Sequence, residues 1–386
     1  MTETKNRFED ISPILDNEVP ATISSLIANN YFRRAAEAFV LQAFPTWERF
    51  IQVLKQCKTK DDFQRQIIYP VMKQLIIRTT SELKGEGWEN LPEGKGCLFI
   101  SNHRDIVLDV AFLNMLLIDQ NHITTEIAIG NNLLIYPWIE EVVRLNKSFI
   151  VKRGVSVRQM LEVSTHLSEY IHDTVNRRQQ PAWIAQREGR AKDSNDKTQV
   201  SLLKMLTLHD SANPARALTD LHIVPLSISY EFDPCDYLKA KEFQLKRDDP
   251  TYRKTKGDDI ENIITSIWGF KGYVSLRFGK CIDEEVKALA ETISDRNELL
   301  KQAASLVDRE IYRNYAFRPF NYVAYDLMTG TNRFSSQYTE EDLSNFNEYL
   351  QQQIDKINIP NRDDAFLREK MIGMYGNTVR NYLEAQ

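Results

Sequence analysis

The stretch "CLFISNHRDIVLDVAFLNMLLI", residues 97–118, decides the fold. Its first five residues form a short apolar run that predicts a buried strand, and the region from about 106 to 118 has the apolar spacing of a helix. Polar residues separate the two. A strand followed by a polar loop and a helix is the repeating unit of an α/β protein, and the sequence continues this alternation downstream.

Six apolar runs predict strands: "CLFIS" (97–101), "EIAIG" (126–130), "SFIVK" (148–152), "AWIAQ" (182–186), "HIVPLSISY" (222–230) and "YVSLRFG" (273–279). Most of them are separated by stretches with helical periodicity, at about 106–118, 136–145, 156–178 and 199–209. This alternation predicts an α/β fold with a mainly parallel sheet flanked by helices. In such sheets ligands bind at the carboxyl ends of the strands.

Helical patterns precede and follow this unit. We expect an N-terminal helical region over residues 1–84, a central α/β domain over 85–283 and a C-terminal helical region over 284–386. The turn-rich segment "KGEGWENLPEGKG" (84–96) contains four glycines and a proline and marks the first boundary. The pattern "EEVKALAETISDRNELLKQAASLVDREIYRNY" opens the last region as one long amphipathic helix.

The composition of the 386-residue chain excludes several function classes. It is 42% hydrophobic and 27% charged, which is ordinary for a globular enzyme, and its net charge of −5 argues against general nucleic-acid binding. The four cysteines form no CxxC pair, which excludes the commonest zinc-site spacings and fits a reducing cytosol. The charged start is not a signal peptide, and no apolar stretch approaches 18 residues. We therefore expect a cytoplasmic protein, with any membrane contact peripheral.

The polar residues after the first strand are candidates for a general base. Asn102, His103, Arg104, Asp105 and Asp109 fall within eight positions. A histidine that removes a proton needs one ring nitrogen free and the other fixed by an acceptor. Asp105 and Asp109 both qualify as that acceptor. In the alternative interpretation Asp105 caps the following helix and His103 is a satisfied loop residue.

Charged residues follow two further strands. Lys152 and Arg153 come at the end of one strand, and an arginine there can bind phosphate through two hydrogen bonds, although both side chains could equally be solvated. A long polar loop after a buried strand is commonly functional. The loop after the strand at 182–186 contains Glu188, Gly189, Arg190 and Lys192.

The run "HIVPLSISYE" (222–231) is a strand with a proline inside it. Pro225 predicts a bulge or an edge position, because proline has no N–H for the sheet ladder. His222 is expected to be structural.

The order and spacing of these four clusters resemble the glycerolipid acyltransferase superfamily, which includes the glycerol-3-phosphate and 1-acylglycerol-3-phosphate (lysophosphatidate) acyltransferases. "NHRDIVLD" resembles the first motif of the family, in which NH is followed by four residues and Asp. "FIVKR", preceded by "GNNLLIYPWIEEVVR", resembles the second motif, "IAQREGR" the third and "IVPLSISYE" the fourth. The resemblance covers about 95–235.

Two features depart from the family pattern. Five residues rather than four separate His103 from Asp109, and one residue rotates a helical side chain by about 100°. Either the helix begins one position later and Asp109 keeps the orienting position, or Asp105 takes it. We favour Asp109 because it opens the apolar run "DVAFL". In the third motif Gln186 and Arg187 replace the usual Phe-Pro, and EG is followed directly by Arg190.

The resemblance implies an O-acyltransferase of phospholipid biosynthesis. It would transfer a fatty acyl group from acyl-CoA or acyl-carrier protein to a hydroxyl of glycerol-3-phosphate or lysophosphatidate, with His103 as general base and Asp109, or else Asp105, orienting it. No covalent acyl-enzyme, metal or other cofactor would be required. The substrate pocket would be formed by Asn102, Arg104, Lys152, Arg153, Glu188, Gly189, Arg190, Lys192 and Pro225.

Lysolipids lie in membranes, so peripheral docking on the inner face of the membrane is expected. Phe44, Trp47 and Phe50 in the N-terminal helices are candidates for that contact, unless they belong to the core. Two other function classes stay open. A non-catalytic lipid- or acyl-carrier-binding protein would keep the cations without needing the His–Asp pair, and a metal-dependent phosphoesterase would use His103, Asp105 and Asp109.

Overall fold

A seven-stranded sheet lies at the centre of the structure, a computed structural model that describes residues 7–386 apart from the side chain of Lys256. The first six residues of the predicted N-terminal helical region lie outside the described residues. The strands are β1 (Glu82–Glu86), β2 (Leu98–Ser101), β3 (Glu126–Gly130), β4 (Ser148–Val151), β5 (Ala182–Ala185), β6 (Ile223–Tyr230) and β7 (Tyr273–Phe278).

The strand order is β1-β7-β6-β2-β5-β3-β4. Strands β6 and β7 are antiparallel and every other neighbouring pair is parallel, so β1 and β7 run against the other five. This confirms the predicted mainly parallel sheet. The carboxyl ends of β6, β2, β5, β3 and β4 therefore lie side by side, along what we call the carboxyl edge.

Helices cover both faces of the sheet, as predicted. In β2, Leu98 and Ile100 pack into one core cluster and Phe99 into the other, and all three are fully buried. Alternate residues of a strand face opposite sides, so a strand buried on both sides reads as a continuous apolar run. The helices are α1 (Val19–Ala28), α2 (Asn30–Val40), α3 (Trp47–Leu54), α4 (Lys60–Phe63), α5 (Tyr69–Thr79), α6 (Leu108–Asp119), α7 (Pro137–Leu145), α8 (Val157–His172), α9 (Val200–Leu206), α10 (Pro214–Thr219), α11 (Asp236–Asp248), α12 (Lys256–Trp268), α13 (Asp283–Thr292), α14 (Arg296–Arg313), α15 (Pro319–Thr329), α16 (Glu340–Asp355) and α17 (Asp364–Glu384).

Several elements are absent from the sequence prediction. Strand β1, "ELKGE", alternates charged residues instead of apolar ones because it forms the open edge beside β7, and it spans the predicted boundary at residue 84. Helices α10, α11 and α12 were also not predicted. The single long helix expected from 284 is two helices, since Asp295 accepts a hydrogen bond of 2.8 Å from the backbone N–H of Glu298 and caps α14.

The prediction that Pro225 marks a bulge or an edge position is wrong, since the register of β6 with β2 runs without interruption through this residue. Strand β6 is interior, between β7 and β2, and Pro225 pairs with Ile100 of β2. The pairing of β6 with β7 begins one residue later, at Leu226. Gly279 N–H donates to the carbonyl of Pro225 at 2.8 Å, and no bond returns because proline lacks an N–H. The proline therefore fits where one ladder ends.

The other outer strand, β4, is covered by the segment before α1. Ile150 N–H in β4 donates to the carbonyl of Ile11 at 2.8 Å. The guanidinium of Arg144 in α7 holds this segment through three backbone carbonyls, those of Glu9, Asp10 and Ser12, at 2.8 to 3.0 Å. Arg144 thus holds the segment around Ile11 against the outer strand β4.

The N-terminal helices form a core of their own. Phe44 and Phe50 are buried in it, and Trp47 packs against Phe50 with ring centroids 5.0 Å apart. Phe44 and Phe50 are therefore core residues, and Trp47 is partly buried against the same core. Among the helices of the described chain, none combines the length and apolar character that crossing a bilayer requires.

The C-terminal helices α15, α16 and α17 pack on α11 around a fourth core cluster. Asp236, in the first turn of α11, is fully buried there. The hydroxyls of Tyr349 and Tyr375 donate to its carboxylate at 2.6 and 2.8 Å. Burial raises the pKa of Asp236 to about 7, and the negative charge of Asp233 adds to the rise. The C-terminal helices are therefore attached through an acid that is half protonated near neutral pH.

We expect this attachment to make stability depend on pH. The pKa of Asp236 rises on folding from an ordinary 3.8 to about 7, so its stabilising contribution is full below pH 3.8 and is lost as pH rises to about 7. The free energy of unfolding should fall across that window by up to about 1.4 kcal/mol per pH unit from this group. Urea unfolding of wild type and Asp236→Asn at several pH values measures it. The difference between the two curves should shift in favour of the variant as pH rises; parallel curves would contradict the assignment.

Candidate functional site

The loop between β2 and α6 holds His103 against Asp109. Helix α6 begins at Leu108, which places Asp109 in its first turn and buries it. Its Oδ2 lies 2.8 Å from His103 Nδ1 and accepts backbone N–H bonds from Arg104 and Asp105 at 2.7 and 3.0 Å. The extra residue in the first motif is accommodated because the helix begins late enough for Asp109 to face back to the loop.

Asp105 has a different task. Its Oδ1 accepts hydrogen bonds from the backbone N–H groups of Val107 and Leu108, at 2.8 and 2.7 Å, and so caps α6. Burial and the nearby charge of Asp109 raise its pKa. Of the two carboxylates that could orient His103, the hydrogen bonds therefore select Asp109.

The far side of the imidazole is open. With Nδ1–H donating to Asp109, Nε2 carries the lone pair, and it has no hydrogen-bond partner in the described part of the chain. The side chain is 14% exposed, and its ring meets the edge of Trp183 from β5 at a centroid distance of 5.7 Å. A base held on one nitrogen and free on the other can accept a proton from a substrate hydroxyl.

Asn102 and Arg104, which were predicted to line the substrate pocket, both have hydrogen-bond partners within the protein. The amide of Asn102 is fully buried and exchanges two hydrogen bonds of 2.8 Å with the backbone of Ile228 in β6. Arg104 forms a buried ion pair with Asp196, with an Nη2–Oδ2 distance of 2.6 Å. Both side chains hydrogen-bond to other parts of the protein, and these bonds hold the loop that carries His103 in place.

The two basic residues after β4, Lys152 and Arg153, lie in different surroundings. Lys152 Nζ lies 2.5 Å from Asp10 Oδ2 on the covered side of β4, three strands or about 14 Å from β2. Arg153 instead extends toward the loop after β5, where its Nη1 lies 3.4 Å from Glu188 Oε1. Lys152 thus pairs away from His103, and Arg153 joins the loop of the third motif.

The residues of the loop after β5 differ in whether they are free to bind an anion. Glu188 and Gly189 are exposed, and Gly189 has a φ of +69° that favours glycine. Lys192 pairs with the buried carboxylate of Glu242 and is not available for an anion. Pro225 lies within β6, away from this loop.

Unlike Lys192, Arg190 has a hydrogen-bond donor that is not already paired within the described chain. Its Nη2 donates to Asn262 Oδ1 at 3.3 Å, while its Nη1 is buried with no partner in the described part of the chain. Its charge acts to lower the pKa of Asp105, against the larger effect of burial, which places the guanidinium near the His103 loop. Arg190 is therefore the predicted cation best placed to receive an anionic group beside the imidazole.

The family model described as Acyltransferase matches residues 82–229, which contain every residue of the predicted site. This part of the chain is therefore similar to the acyltransferase family. The match confirms the resemblance inferred from the four motifs. Among solved structures the chain is similar to the 1-acyl-sn-glycerophosphate (LPA) acyltransferase PlsC from Thermotoga maritima, at 15% identity and a TM-score of 0.37, covering 77% of this chain and 96% of that one. No curated protein matches the chain.

The acyltransferase domain has polar groups beside the His–Asp pair that the motifs do not reveal. Asp109 Oδ1 and the hydroxyl of Tyr230 are both buried and close to each other, and neither has a hydrogen-bond partner elsewhere in the described chain. Burial, and then the charge of Asp109, raises the pKa of Tyr230. Tyr230 ends a predicted strand, so its place at the carboxyl edge follows from the sequence, whereas its proximity to Asp109 does not.

Asp196 and Lys271 are missed because nothing in the sequence near them indicates a partner. Asp196 is fully buried and pairs with Arg104, 92 residues away. Lys271 is also fully buried, and its Nζ donates to the carbonyls of Ile267 and Gly269 at 3.1 and 2.6 Å. Burial lowers the pKa of Lys271 to about 8, with the charge of Asp105 opposing the change. Asp196 thus pairs with a residue of the His103 loop, and Lys271 lies near enough to Asp105 for its charge to act on it.

A small cavity of about 30 Å³ lies next to the acyltransferase site, lined by residues that include Arg104, Tyr230, Asp233 and Tyr315. This volume corresponds to one or two water molecules. It is too small for a substrate larger than that, whereas the side of His103 that carries Nε2 is open.

Proposed function

We propose that the acyltransferase domain transfers a fatty acyl group from a thioester carrier, acyl-CoA or acyl-carrier protein, to a hydroxyl of a phosphorylated glycerol acceptor, lysophosphatidate or glycerol-3-phosphate. The observation that carries the proposal is the 2.8 Å contact between His103 Nδ1 and Asp109 Oδ2, with Nε2 left free. The reaction belongs to phospholipid biosynthesis. The predicted cytoplasmic location, with peripheral contact to the inner face of the membrane, stays a prediction.

The proposed mechanism needs a base and a positioned acceptor. His103 Nε2 removes the proton of the acceptor hydroxyl as its oxygen attacks the thioester carbonyl carbon. Asp109 keeps Nδ1 protonated and stabilises the imidazolium that forms. The C–S bond then breaks, and the thiolate takes the proton back from the imidazolium. Each step uses side chains of this domain and the two substrates, and we propose no further cofactor.

The acceptor phosphate would be held by arginines of the third-motif loop. Arg190 Nη1 is buried and unsatisfied in the described chain, and the Nε of Arg187 is in the same state. An unsatisfied buried guanidinium donor costs free energy until an acceptor arrives, and phosphate oxygens are strong acceptors. Arg153 approaches the same loop through Glu188. This arrangement favours an anionic acceptor over an uncharged alcohol.

Thiol release from acyl-CoA tests the proposed function directly. Purified protein is supplied with acyl-CoA or acyl-carrier protein thioesters and a panel of acceptors: glycerol-3-phosphate, lysophosphatidate, and glycerol as the uncharged control. Release that depends on a phosphorylated acceptor supports the proposal. Absence of acceptor-dependent release with every pair would refute it.

Arg190→Met should raise KM for the phosphorylated acceptor by about 10- to 100-fold, because it removes a charged hydrogen-bond donor from the acceptor site. We expect kcat to change less, since the His–Asp pair is untouched. Lys192→Met is the matched control, because the ammonium of Lys192 already pairs with Glu242. Equal effects of the two substitutions on KM would contradict the assignment of Arg190 to the phosphate.

A further inference from the structure

A second cluster of chemically reactive side chains lies at the other end of the strands, opposite the carboxyl edge where His103 lies. His222 immediately precedes β6, and Cys281 and Asp283 follow β7 at the start of α13. Because β6 and β7 are antiparallel, the start of one meets the end of the other, and Ile282 N–H donates to the carbonyl of Ile223 at 3.1 Å. Two chain segments about 60 residues apart thus converge here through backbone pairing.

The three side chains direct donor atoms at one point. One ligand atom from each of His222, Cys281 and Asp283 lies within 4.8 Å of the other two, and His222 Nδ1 is 2.6 Å from Asp283 Oδ2. In a tetrahedral zinc site, bonds of about 2.0 to 2.3 Å separate neighbouring donor atoms by roughly 3.3 to 3.8 Å. The His222–Asp283 pair is closer than that spacing and no pair is farther apart than 4.8 Å, so small side-chain rotations would form the site. All three residues are half-buried, which leaves a path for an ion.

The backbone at His222 is unusual. Its φ is +44°, in the left-handed region that residues other than glycine seldom adopt. Such conformations cost roughly 1 kcal/mol or more and persist where the surrounding structure requires them. Here the turn follows α10 and directs the imidazole toward the end of β7. The hydrogen bond to Asp283 holds it there in the absence of any other ligand.

We propose that His222, Cys281 and Asp283 bind one divalent transition-metal ion, with zinc favoured by the donor chemistry. Thiolate, imidazole and carboxylate are ligands that zinc accepts together, whereas magnesium and calcium prefer oxygen ligands alone. A water molecule would complete the four-coordinate shell. On binding, the Cys281 thiol gives its proton to solvent and the S–metal bond forms. His222 loses the Nδ1 proton to solvent and takes one at Nε2, so Nδ1 and the Asp283 carboxylate exchange their hydrogen bond for two metal bonds.

The site is structural and separate from acyl transfer. The eight residues of β6 lie between His222 and the carboxyl edge, a distance of about 25 Å at 3.3 Å per residue. The ion would join the start of β6, the end of β7 and the start of α13. Its binding should therefore stabilise the fold, while the chelator-treated protein keeps its acyltransfer rate.

Cobalt titration of the chelator-treated full chain tests the proposal, because a cobalt–thiolate bond gives a charge-transfer absorption that oxygen ligands do not. We expect one Co²⁺ per chain, displacement by Zn²⁺, and a higher Tm with either ion. Cys281→Ser should abolish the thiolate absorption, and His222→Asn should weaken binding at least about 100-fold. Asparagine tolerates the left-handed conformation, so this variant should keep the fold, as circular dichroism can verify.

Cys57→Ser is the matched control, because Cys57 is a buried thiol in the core of the N-terminal helices and should leave the titration unchanged. His103→Ala should likewise bind one ion. Failure of the wild-type chain to bind one Co²⁺, or thiolate absorption that survives in Cys281→Ser, would overturn the proposal. Acyltransfer that disappears with the chelator would overturn the separation of the two sites.

Discussion

Replacing His103 with alanine is expected to lower the rate of acyl transfer by about 10² to 10⁴-fold and to leave the fold intact. The imidazole makes one side-chain hydrogen bond, to Asp109, and one ring contact, to Trp183. Its loss removes the group that accepts the hydroxyl proton, whereas Asn102 and Arg104 continue to hold the loop. Initial rates of thiol release, measured with saturating acceptor, give the effect on kcat.

The control for this variant is His166→Ala. His166 also pairs with a carboxylate, since its Nε2 lies 2.9 Å from Asp10 Oδ1, but it lies on α8 beside the covered edge of β4. Its removal should change the rate by less than about 2-fold, as for a surface ion pair remote from the chemistry. A near-normal rate for His103→Ala, together with a normal circular dichroism spectrum, would contradict the role of His103 as base.

Asp196→Ala is expected to lower the free energy of unfolding by about 3 to 5 kcal/mol. Asp196 is fully buried, pairs with Arg104 at 2.6 Å and accepts a hydrogen bond of 2.7 Å from the hydroxyl of Tyr315. Burial disfavours the charge of Arg104, but the charge and hydrogen bond of Asp196, together with Tyr315 and Asp109, outweigh that cost and raise the pKa of the guanidinium. The truncation leaves this charge buried without its partner. Equilibrium unfolding in urea measures the loss.

Two comparison variants make this result specific. Asp210→Ala breaks the ion pair with Arg216, whose side chain is 63% exposed, and should cost less than about 1 kcal/mol. The double variant Arg104→Met/Asp196→Val removes both buried charges and should be more stable than Asp196→Ala alone. A loss below about 1 kcal/mol for Asp196→Ala, or a double variant that is less stable, would contradict the argument.

The strands were predictable where burial on two faces produces an unbroken apolar run. β2 and β5 meet that condition most fully, whereas β6 and β7 also contain polar residues such as Ser227 and Arg277. All six predicted strands, β2 to β7, were found within two residues of their ends. The edge strand β1 fails that condition, because its outward side chains are charged. The break between α13 and α14 depends on the capping hydrogen bond of Asp295, which periodicity alone does not show.

The candidate site was predictable only in outline. The spacing of His103, Asp105 and Asp109 left two interpretations, since one residue changes the direction of a helical side chain by about 100°. Only the position where α6 begins separates them. The cations pose a similar difficulty, because Lys152 and Lys192 are neutralised by Asp10 and Glu242, which are distant in sequence. A motif identifies which charged residues lie at the strand ends. Whether such a residue is free to bind a ligand depends on the partners that the tertiary structure brings to it.

The covering of β4 by the segment around Ile11 has a consequence for how copies of the protein behave toward each other. An uncovered outer strand offers unpaired N–H and C=O groups to any other extended chain. Here Ile150 already has its acceptor, and Arg144 keeps that acceptor in place. Proteolytic removal of residues 7–12, or loss of the Arg144 guanidinium, would expose the backbone groups of β4. Copies of the protein could then pair through this strand and self-associate.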